Sequence, residues 1–382
     1  MTDRAVVDLA DVRAADAGRV GPKMARLGQL AADGWRIPDG YAVTAGALDG
    51  WLPAGARDEL NRMFAAPATG PGELAELASR ARALVEAQPL PSWLADAVAA
   101  AHGRLAARTG RDAALRVAVR SSAVSEDGQA ASFAGQYETY LGVSGVDDVL
   151  LHVRRCWASG FSAHALAYRR RFGGPAPARA SDLAVGVLEL VDARSAGVAF
   201  TLDPVTGDRG VCVVEGNWGF GESVVSGQVT PDHWTVDRAS GRVLTARTGA
   251  KLTWAAANPA DGRVVLSPLP GDLTGQACLS EEEVRYICER AVAIEAAAGG
   301  MPQDVEWAVA RDLPFPGNVF FLQHRPETTW TGAPGDTGAP GEAGAPGETG
   351  APSDSAAQGE ADQPAFDPVQ YALRNVFKVP GT

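Results

Sequence analysis

Cysteine is scarce in this sequence, which has four in 382 residues: Cys156, Cys212, Cys278 and Cys288. None of them belongs to a Cys-x-x-Cys pair, the spacing that many zinc sites and redox motifs use. Cysteines so few and so scattered in a long chain favour reduced thiols in the core over disulfides or a zinc site.

Long apolar runs and excess positive charge are also missing. No stretch approaches the ~20 consecutive apolar residues of a membrane span, and the N-terminus has no apolar signal core. The formal net charge is −12. We therefore expect a cytoplasmic protein whose partners include neither nucleic acid nor a membrane. Any anionic ligand would need a local basic pocket.

The distribution of helix and strand signals predicts an α+β protein. Helical spacing dominates the first half, whereas β-branched runs of strand length, such as residues 182–191, dominate the second. The length suffices for two or three domains. Two unlike lobes are expected rather than one doubly wound sheet. The predicted division is an N-terminal lobe 1–180, a second lobe 181–330, an acidic linker 331–365 and a C-terminal tail 366–382.

Composition changes abruptly after residue 331. Glycine occupies every third position from Gly332 to Gly350, a pattern shared by short collagen-like triple helices and by flexible linkers. A disordered linker is favoured, because triple helices need long proline-rich arrays in three aligned chains. Residues 366–382 then place apolar side chains at helical spacing. So short an amphipathic helix must dock, either on this chain or on a partner.

Two segments in the first lobe combine small residues with a basic side chain. Lys23 lies just inside a helix start, where it could reach a phosphate, although most helix lysines are simply solvated. Arg120 ends an apolar strand and precedes a loop of small residues, 132–136, whose backbone N–H groups could approach a phosphate. An ordinary turn with a surface arginine is the alternative.

Two segments in the second lobe carry carboxylates. Residues 216–227 are glycine-rich around Glu222, but they match neither Gly-x-Gly-x-x-Gly nor a P-loop, which argues against a dinucleotide fold. Glu306 and Gln323 lie in strand-like runs that could be antiparallel neighbours, and Arg325 shares a strand face with Gln323. This set suits Mg²⁺–nucleotide chemistry, and a structural Glu306–Arg325 ion pair is the alternative.

Together and in this order, these segments resemble one family. The stretches VAVRSSAVSEDGQAASFAGQYETYLGV, AGVAFTLDPVTGD, GNWGFGESVVSGQVTPD and PQDVEWA…LQHRPET are similar to signatures of the N-terminal nucleotide-binding region of phosphoenolpyruvate synthase and pyruvate phosphate dikinase. The same region occurs in rifampicin phosphotransferases and in the ATP-binding subunit of phenylphosphate synthase. The resemblance covers about residues 15–330 and implies an ATP-grasp-like fold that holds ATP and Mg²⁺ between two lobes.

The resemblance also implies roles for individual residues. Those matching Lys23, Arg120 and Arg325 contact phosphates and carry catalysis, and those matching Glu306 and Gln323 hold Mg²⁺. A phosphate-covering loop and an adenine-binding hinge complete the implied site, with Ser132, Gly135, Gln136 and Thr139 in the loop and Leu188, Glu189, Leu190 and Val191 in the hinge.

Two departures from the family pattern leave the charged contacts in place. The hinge often reads Gln-x-Met, and Leu188-Glu189-Leu190 stands there instead, so a side-chain contact from that glutamine is lost. The motif around the lysine usually reads Gly-Gly-Lys or Gly-x-Lys-Gly, whereas Gly21-Pro22 precedes Lys23 here and makes a stiffer turn.

The largest departure is the family's phosphorylated histidine, whose Gly-Gly-x-Thr-Ser-His-Ala motif does not occur in this sequence. His164, in FSAHALAYRR, resembles that motif only superficially. His102 and His152 lie in helical contexts and are expected to be structural. His233 and His324 flank motifs and could line the cleft.

These features favour the ATP-binding subunit of a split phosphotransferase, a dikinase. It would pass a phosphoryl group from Mg-ATP to a histidine on a separate subunit that also carries the acceptor site, leaving AMP and phosphate. The resemblance to phenylphosphate synthase makes phenol or another small hydroxy compound a plausible final acceptor. The alternatives are a nucleotide-sensing module without transfer activity and a stand-alone small-molecule kinase, with residues 45–108 supplying its acceptor pocket.

Overall fold

The computed structural model describes residues 5–65, 70–111, 115–124, 138–163, 183–225, 227, 229–327 and 330. Several predicted features lie outside this part of the chain: the loop positions Ser132, Gly135 and Gln136, the histidine His164, and the linker and tail at 331–382. What the sequence predicts for them stays a prediction.

Helices dominate the first half of the described chain, as the sequence predicts. Two 3₁₀ turns, Leu9–Asp11 and Ala14–Asp16, precede the first α-helix. The α-helices are α1 (Ala17–Ala32), α2 (Ala45–Trp51), α3 (Ala54–Ala65), α4 (Pro71–Glu86), α5 (Ser92–Thr109), α6 (Val146–Ser159), α7 (Glu222–Val225) and α8 (Glu281–Ala297).

The first sheet is antiparallel throughout and contains five strands in the order β1-β2-β5-β3-β4. Helices α2 to α6 pack on one of its faces, where Trp51 stacks on Trp157 with ring centroids 5.1 Å apart. Its strands are β1 (Val6–Asp8), β2 (Gly40–Val43), β3 (Arg116–Ala123), β4 (Thr139–Ser144) and β5 (Leu183–Glu189).

The second sheet is also antiparallel and contains six strands in the order β13-β12-β6-β7-β8-β9. A separate two-stranded hairpin, β10–β11, follows β9 and precedes α8 in the sequence. The strands are β6 (Ala193–Phe200), β7 (Val211–Trp218), β8 (Asp232–Asp237), β9 (Val243–Arg247), β10 (Thr253–Ala257), β11 (Val264–Pro268), β12 (Gln303–Ala310) and β13 (Val319–Pro326).

Alternation along β12 separates the two faces of the second sheet. Val305, Trp307 and Val309 join one apolar cluster with Ile287 and Ile294 of α8, so this helix covers one face. Because successive strand residues point to opposite faces, Asp304, Glu306 and Ala308 lie on the other one. We call this other side the cleft face.

Helix α1 lies between the two lobes. Its residues Met24 and Leu27 belong to the same apolar cluster as the second sheet, and a Cβ on Gly186 of β5 would come within 2.3 Å of the Met24 sulfur. The missing side chain at Gly186 therefore allows α1 to pack directly on the first sheet.

Several predictions from composition can be compared with this fold. Mixed helix and sheet confirms the α+β class, and the four cysteines are buried and unbridged, as expected. None of the helices in the described ranges is long and apolar enough to cross a membrane. Strand β5, which the predicted division at 180/181 assigns to the second lobe, pairs within the first sheet. The domain boundaries themselves stay a prediction.

Candidate functional site

Glu306 and Gln323 are direct partners on neighbouring antiparallel strands. Glu306 of β12 lies opposite Gln323 of β13, beside a shift in register between Glu306 and Trp307. Residues directly opposite each other share a face, so the carboxylate and the amide both project from the cleft face. The described residues contain no group of three or more His, Cys, Asp or Glu side chains placed to hold a metal ion. A cation at this pair would take its remaining ligands from phosphate or water, as Mg²⁺ commonly does.

Arg325 is held on the cleft face by a carboxylate that the sequence reasoning missed. Its Nε donates to Asp304 Oδ2 at 3.0 Å, and the two residues are cross-strand partners. The alternative of a Glu306–Arg325 pair therefore named the wrong carboxylate as the direct partner. The sequence could have shown that Asp304 lies on this face, because Asp304 is two residues before Glu306 and every second side chain of a strand points to the same face.

Opposing effects act on the pKa of the Asp304 carboxyl group. Burial raises the pKa of Asp304 to about 7, the Arg325 guanidinium opposes that shift, and the Glu327 carboxylate adds to it. Burial alone would lower the pKa of Arg325, but the carboxylates of Asp304, Glu306 and Glu327 outweigh it and raise that pKa. Arg325 therefore stays cationic in this cleft.

Arg120 joins the two sheets at the same point. From β3 it donates through Nη2 to Gln323 Oε1 and through Nη1 to the Leu322 carbonyl at 3.4 Å. Its buried Nε has no hydrogen-bond partner among the described residues. The predicted phosphate-binding arginine and the predicted magnesium ligand thus meet, although 203 positions separate them in the chain. Thr139, the described member of the predicted loop set, lies opposite Arg120 on β4 and is exposed.

The chain turns sharply just before Lys23. Gly21 has φ +74°, and a Cβ there would lie 2.4 Å from the Ser122 carbonyl oxygen, so only glycine permits this approach. The Met24 N–H donates to Ser122 Oγ at 3.4 Å. The start of the regular part of α1 is therefore fixed against the end of β3, two residues beyond Arg120.

The predicted hinge crosses between the sheets. Leu188 is buried, and the next two backbone N–H groups are already used: Glu189 donates to the Asp39 carbonyl at 2.7 Å and Leu190 to the Arg116 carbonyl at 2.9 Å. Burial raises the pKa of Glu189, which Arg111 partly opposes. A ligand at the hinge therefore cannot use these two N–H groups while both hydrogen bonds are formed.

Beside the charged residues, the cleft face has an apolar zone. Leu190 and Val191 of the hinge join a cluster with small or aromatic residues of the second sheet and the β10–β11 hairpin. Its buried members are Val191, Ala193, Ala196, Phe220, Ala255, Ala308, Ala310 and Phe320. An apolar zone of this kind suits a flat, weakly polar group such as a nucleobase.

Cross-strand pairing extends the charged row beyond the predicted residues. Glu306 lies opposite Val198, Val198 opposite Glu215, and Glu215 opposite His233, with Glu215 Oε1 3.1 Å from His233 Nδ1. His233 therefore lies on the cleft face, as the sequence suggested. His324 does not: it pairs with Val305 on the α8 side, and its Nδ1 lies 2.9 Å from Gln303 Oε1. The expectation that His324 could line the cleft is wrong.

Comparison with known proteins decides the family. Residues 17–339 match the sequence profile of the family described as pyruvate phosphate dikinase, AMP/ATP-binding domain. The chain belongs to this family.

Curated relatives agree with this membership in the pyruvate phosphate dikinase family. A probable phosphoenolpyruvate synthase of Staphylothermus marinus is 38% identical over an alignment of 352 residues that covers 86% of this chain and 42% of that protein. One from Methanothermobacter thermautotrophicus is 37% identical over 324 residues, 84% of this chain and 46% of that protein. A rifampicin phosphotransferase of a Streptomyces species is 39% identical over 332 residues, 86% of this chain and 36% of that protein. The chain thus spans less than half the length of these relatives.

In this AMP/ATP-binding domain, the cleft face has two zones of different chemistry. The zone at Arg120, Arg325 and Glu306 is charged, and the zone at Leu190 and Val191 is apolar. Such a division matches the two ends of a nucleotide, an anionic chain of phosphates and an aromatic base. The family match therefore agrees with the local geometry.

Proposed function

We propose that this chain binds Mg-ATP between its two sheets, in an ATP-grasp-like arrangement, and starts the transfer of a phosphoryl group. The observation that carries this proposal is the meeting of Glu306, Gln323, Arg120 and Arg325 at one point of the cleft face. Two arginines and a carboxylate–amide pair suit a triphosphate and a hard cation. The donor set therefore fits Mg²⁺.

In this proposal the position of each charged residue determines its role. Glu306 and Gln323 hold the metal ion, and bound Mg²⁺ supplies charge neutralisation to phosphate oxygens. Arg325, fixed by Asp304, and Arg120, whose Nε has no other partner among the described residues, each bind phosphate oxygens. Lys23 adds a third cation from the start of α1. Rate enhancement then comes mainly from positioning and charge stabilisation.

The remaining predicted residues form the phosphate-covering loop and the adenine-binding hinge in this proposal. The family resemblance assigns Ser132, Gly135 and Gln136 to a loop that covers the phosphates, and Thr139 at the start of β4 belongs to the same predicted set. The hinge residues Leu188, Glu189, Leu190 and Val191 take the adenine base next to the apolar zone of the cleft face. With the two hinge N–H groups of Glu189 and Leu190 already engaged, packing contributes more to binding the base than donated hydrogen bonds.

The proposed acceptor is a histidine on a separate subunit, which passes the phosphoryl group to a final acceptor such as phenol or another small hydroxy compound. The motif Gly-Gly-x-Thr-Ser-His-Ala does not occur within these 382 residues, so the proposed histidine lies outside them. AMP and phosphate are the by-products. The curated relatives, named as phosphoenolpyruvate synthases and a rifampicin phosphotransferase, support a phosphotransferase more generally.

Radiolabelled ATP tests this proposal. The chain is incubated with ATP labelled at the β-phosphate, with and without a candidate partner that carries the histidine motif. We expect label on the partner only when this chain is present, and AMP only when both proteins are present. Rapid AMP formation by this chain alone would rule out the split arrangement. ATP binding without any transfer or AMP would instead favour a sensing module.

A further inference from the structure

The β10–β11 hairpin spans from the second sheet to the first across the hinge end of the cleft. At its base, Phe220 donates its N–H to the Ala255 carbonyl at 2.9 Å, and Asn217 Nδ2 donates to the Thr253 carbonyl at 3.0 Å. These contacts fix the start of the hairpin to the end of β7. The hairpin is therefore anchored in the second lobe.

The tip of the hairpin contacts the first lobe. The tip turn, residues 258–263, contains Asp261, whose carbonyl accepts a hydrogen bond from Arg116 Nη1 at 2.7 Å. Next to it, a Cβ on Gly142 of β4 would lie 2.3 Å from the Gly262 carbonyl oxygen. A Cβ on Gly262, where φ is +70°, would lie 1.9 Å from Arg116 Cζ. The backbones of β4 and of the tip turn come into contact here because Gly142 and Gly262 lack side chains.

Arg116 is the residue that joins this tip to the hinge. Its carbonyl accepts the N–H of Leu190 at 2.9 Å, while its guanidinium reaches Asp261 at the other side. Between these two contacts, Ala255 and Val264 of the hairpin belong to the same apolar cluster as Leu190 and Val191. One side chain thus sets the position of the hairpin relative to the hinge.

We propose that the β10–β11 hairpin is a third wall of the nucleotide cleft, contacting the base, and that Arg116 is the positioning residue that holds it there. This inference rests on the proposed nucleotide site. It means that the base packs against the hairpin as well as against the hinge and the sheet. Without the Arg116–Asp261 contact the hairpin is no longer held against the base, so part of the packing on a bound nucleotide is lost.

Stopped-flow displacement of the fluorescent nucleotide mant-ATP by excess ATP tests this inference. Arg116→Met removes one charge-assisted hydrogen bond that holds the hairpin against the base, so we expect dissociation to accelerate about ten-fold. The association rate should stay within about two-fold, because phosphate contacts form away from the hairpin. Gly262→Ala disturbs the same contact from the hairpin side and should act alike.

Two controls separate positioning from a general structural effect. Arg263→Met alters an exposed arginine of the same turn, 4.0 Å from the Asp261 carboxylate, and should leave the rates unchanged. Inorganic tripolyphosphate has no base, so Arg116→Met should leave its affinity unchanged. Equal dissociation rates in the Arg116→Met and Arg263→Met proteins, or equal losses for tripolyphosphate and ATP, would overturn the inference alone. Failure of the wild type to bind mant-ATP would overturn the proposed function with it.

Discussion

Glu306→Ala is expected to abolish phosphoryl transfer while the fold stays intact. Glu306 supplies the carboxylate of the pair that faces the cleft, and its partner Gln323 is already engaged by Arg120. Without that carboxylate, the proposed metal position keeps the neutral amide of Gln323 and the arginines, while the nearby Asp304 is engaged by Arg325. Loss of charge stabilisation at a phosphoryl group should lower transfer by about a thousand-fold or more.

The same variant gives a readout that needs no partner protein. Calorimetric titration of ATP should show tighter binding with Mg²⁺ than with EDTA in the wild type. This dependence on Mg²⁺ should vanish in Glu306→Ala. Glu282→Ala, an exposed carboxylate in the first turn of α8, is the matched control and should behave as wild type. Full activity of Glu306→Ala would show that the metal assignment is wrong.

Lys251→Met is expected to produce the largest loss of stability. Lys251 is fully buried, and its Nζ donates to Asp232 Oδ1 and to the Gln276 carbonyl at 2.9 Å. Asp232 is also fully buried and accepts the N–H groups of Gly249 at 2.8 Å and Cys278 at 2.7 Å. Removing the lysine leaves a buried carboxylate without its counter-ion, which costs about 3–5 kcal/mol in the free energy of unfolding.

Urea unfolding followed by circular dichroism measures this cost. Arg62→Met is the matched control, because Arg62 pairs with Glu59 at 2.6 Å but has an exposed fraction of 74%. A surface pair of that kind contributes at most about 1 kcal/mol. The double variant Lys251→Met with Asp232→Asn should recover part of the loss, since the buried charge is then gone. A loss below about 1 kcal/mol in Lys251→Met would contradict this description of the pair.

Strand periodicity predicted the central part of the candidate site. Residues two apart on a strand share a face, which placed Gln323 and Arg325 together, and the pairing of β12 with β13 added Glu306. The same rule would have found Asp304 and would have placed His324 on the opposite face. The error at His324 came from reading the histidine by its distance from a motif rather than by its strand position.

Contacts between distant parts of the chain were beyond sequence reasoning. Arg120 and Gln323 meet because β3 and β13 lie at the junction of the two sheets, and no local pattern encodes that junction. The hairpin contact between Arg116 and Asp261 has a separation of 145 residues and depends on two backbones that approach closely. Similarly, β-branched residues predicted β5 as a strand, but only its pairing with β2 and β3 assigns it to the first sheet.

Hydrogen–deuterium exchange with and without Mg-ATP tests most directly the claim that the cleft between the sheets binds the nucleotide. The predicted result is saturable slowing of exchange in peptides that cover β3, β12, β13 and the hairpin at 253–268, with little change in α4 and α5. Amides at these strands lie beside Arg120, Glu306 and Arg325, and bound phosphates would order them. Slowing confined to other parts of the chain, or none at saturating Mg-ATP, would contradict the account.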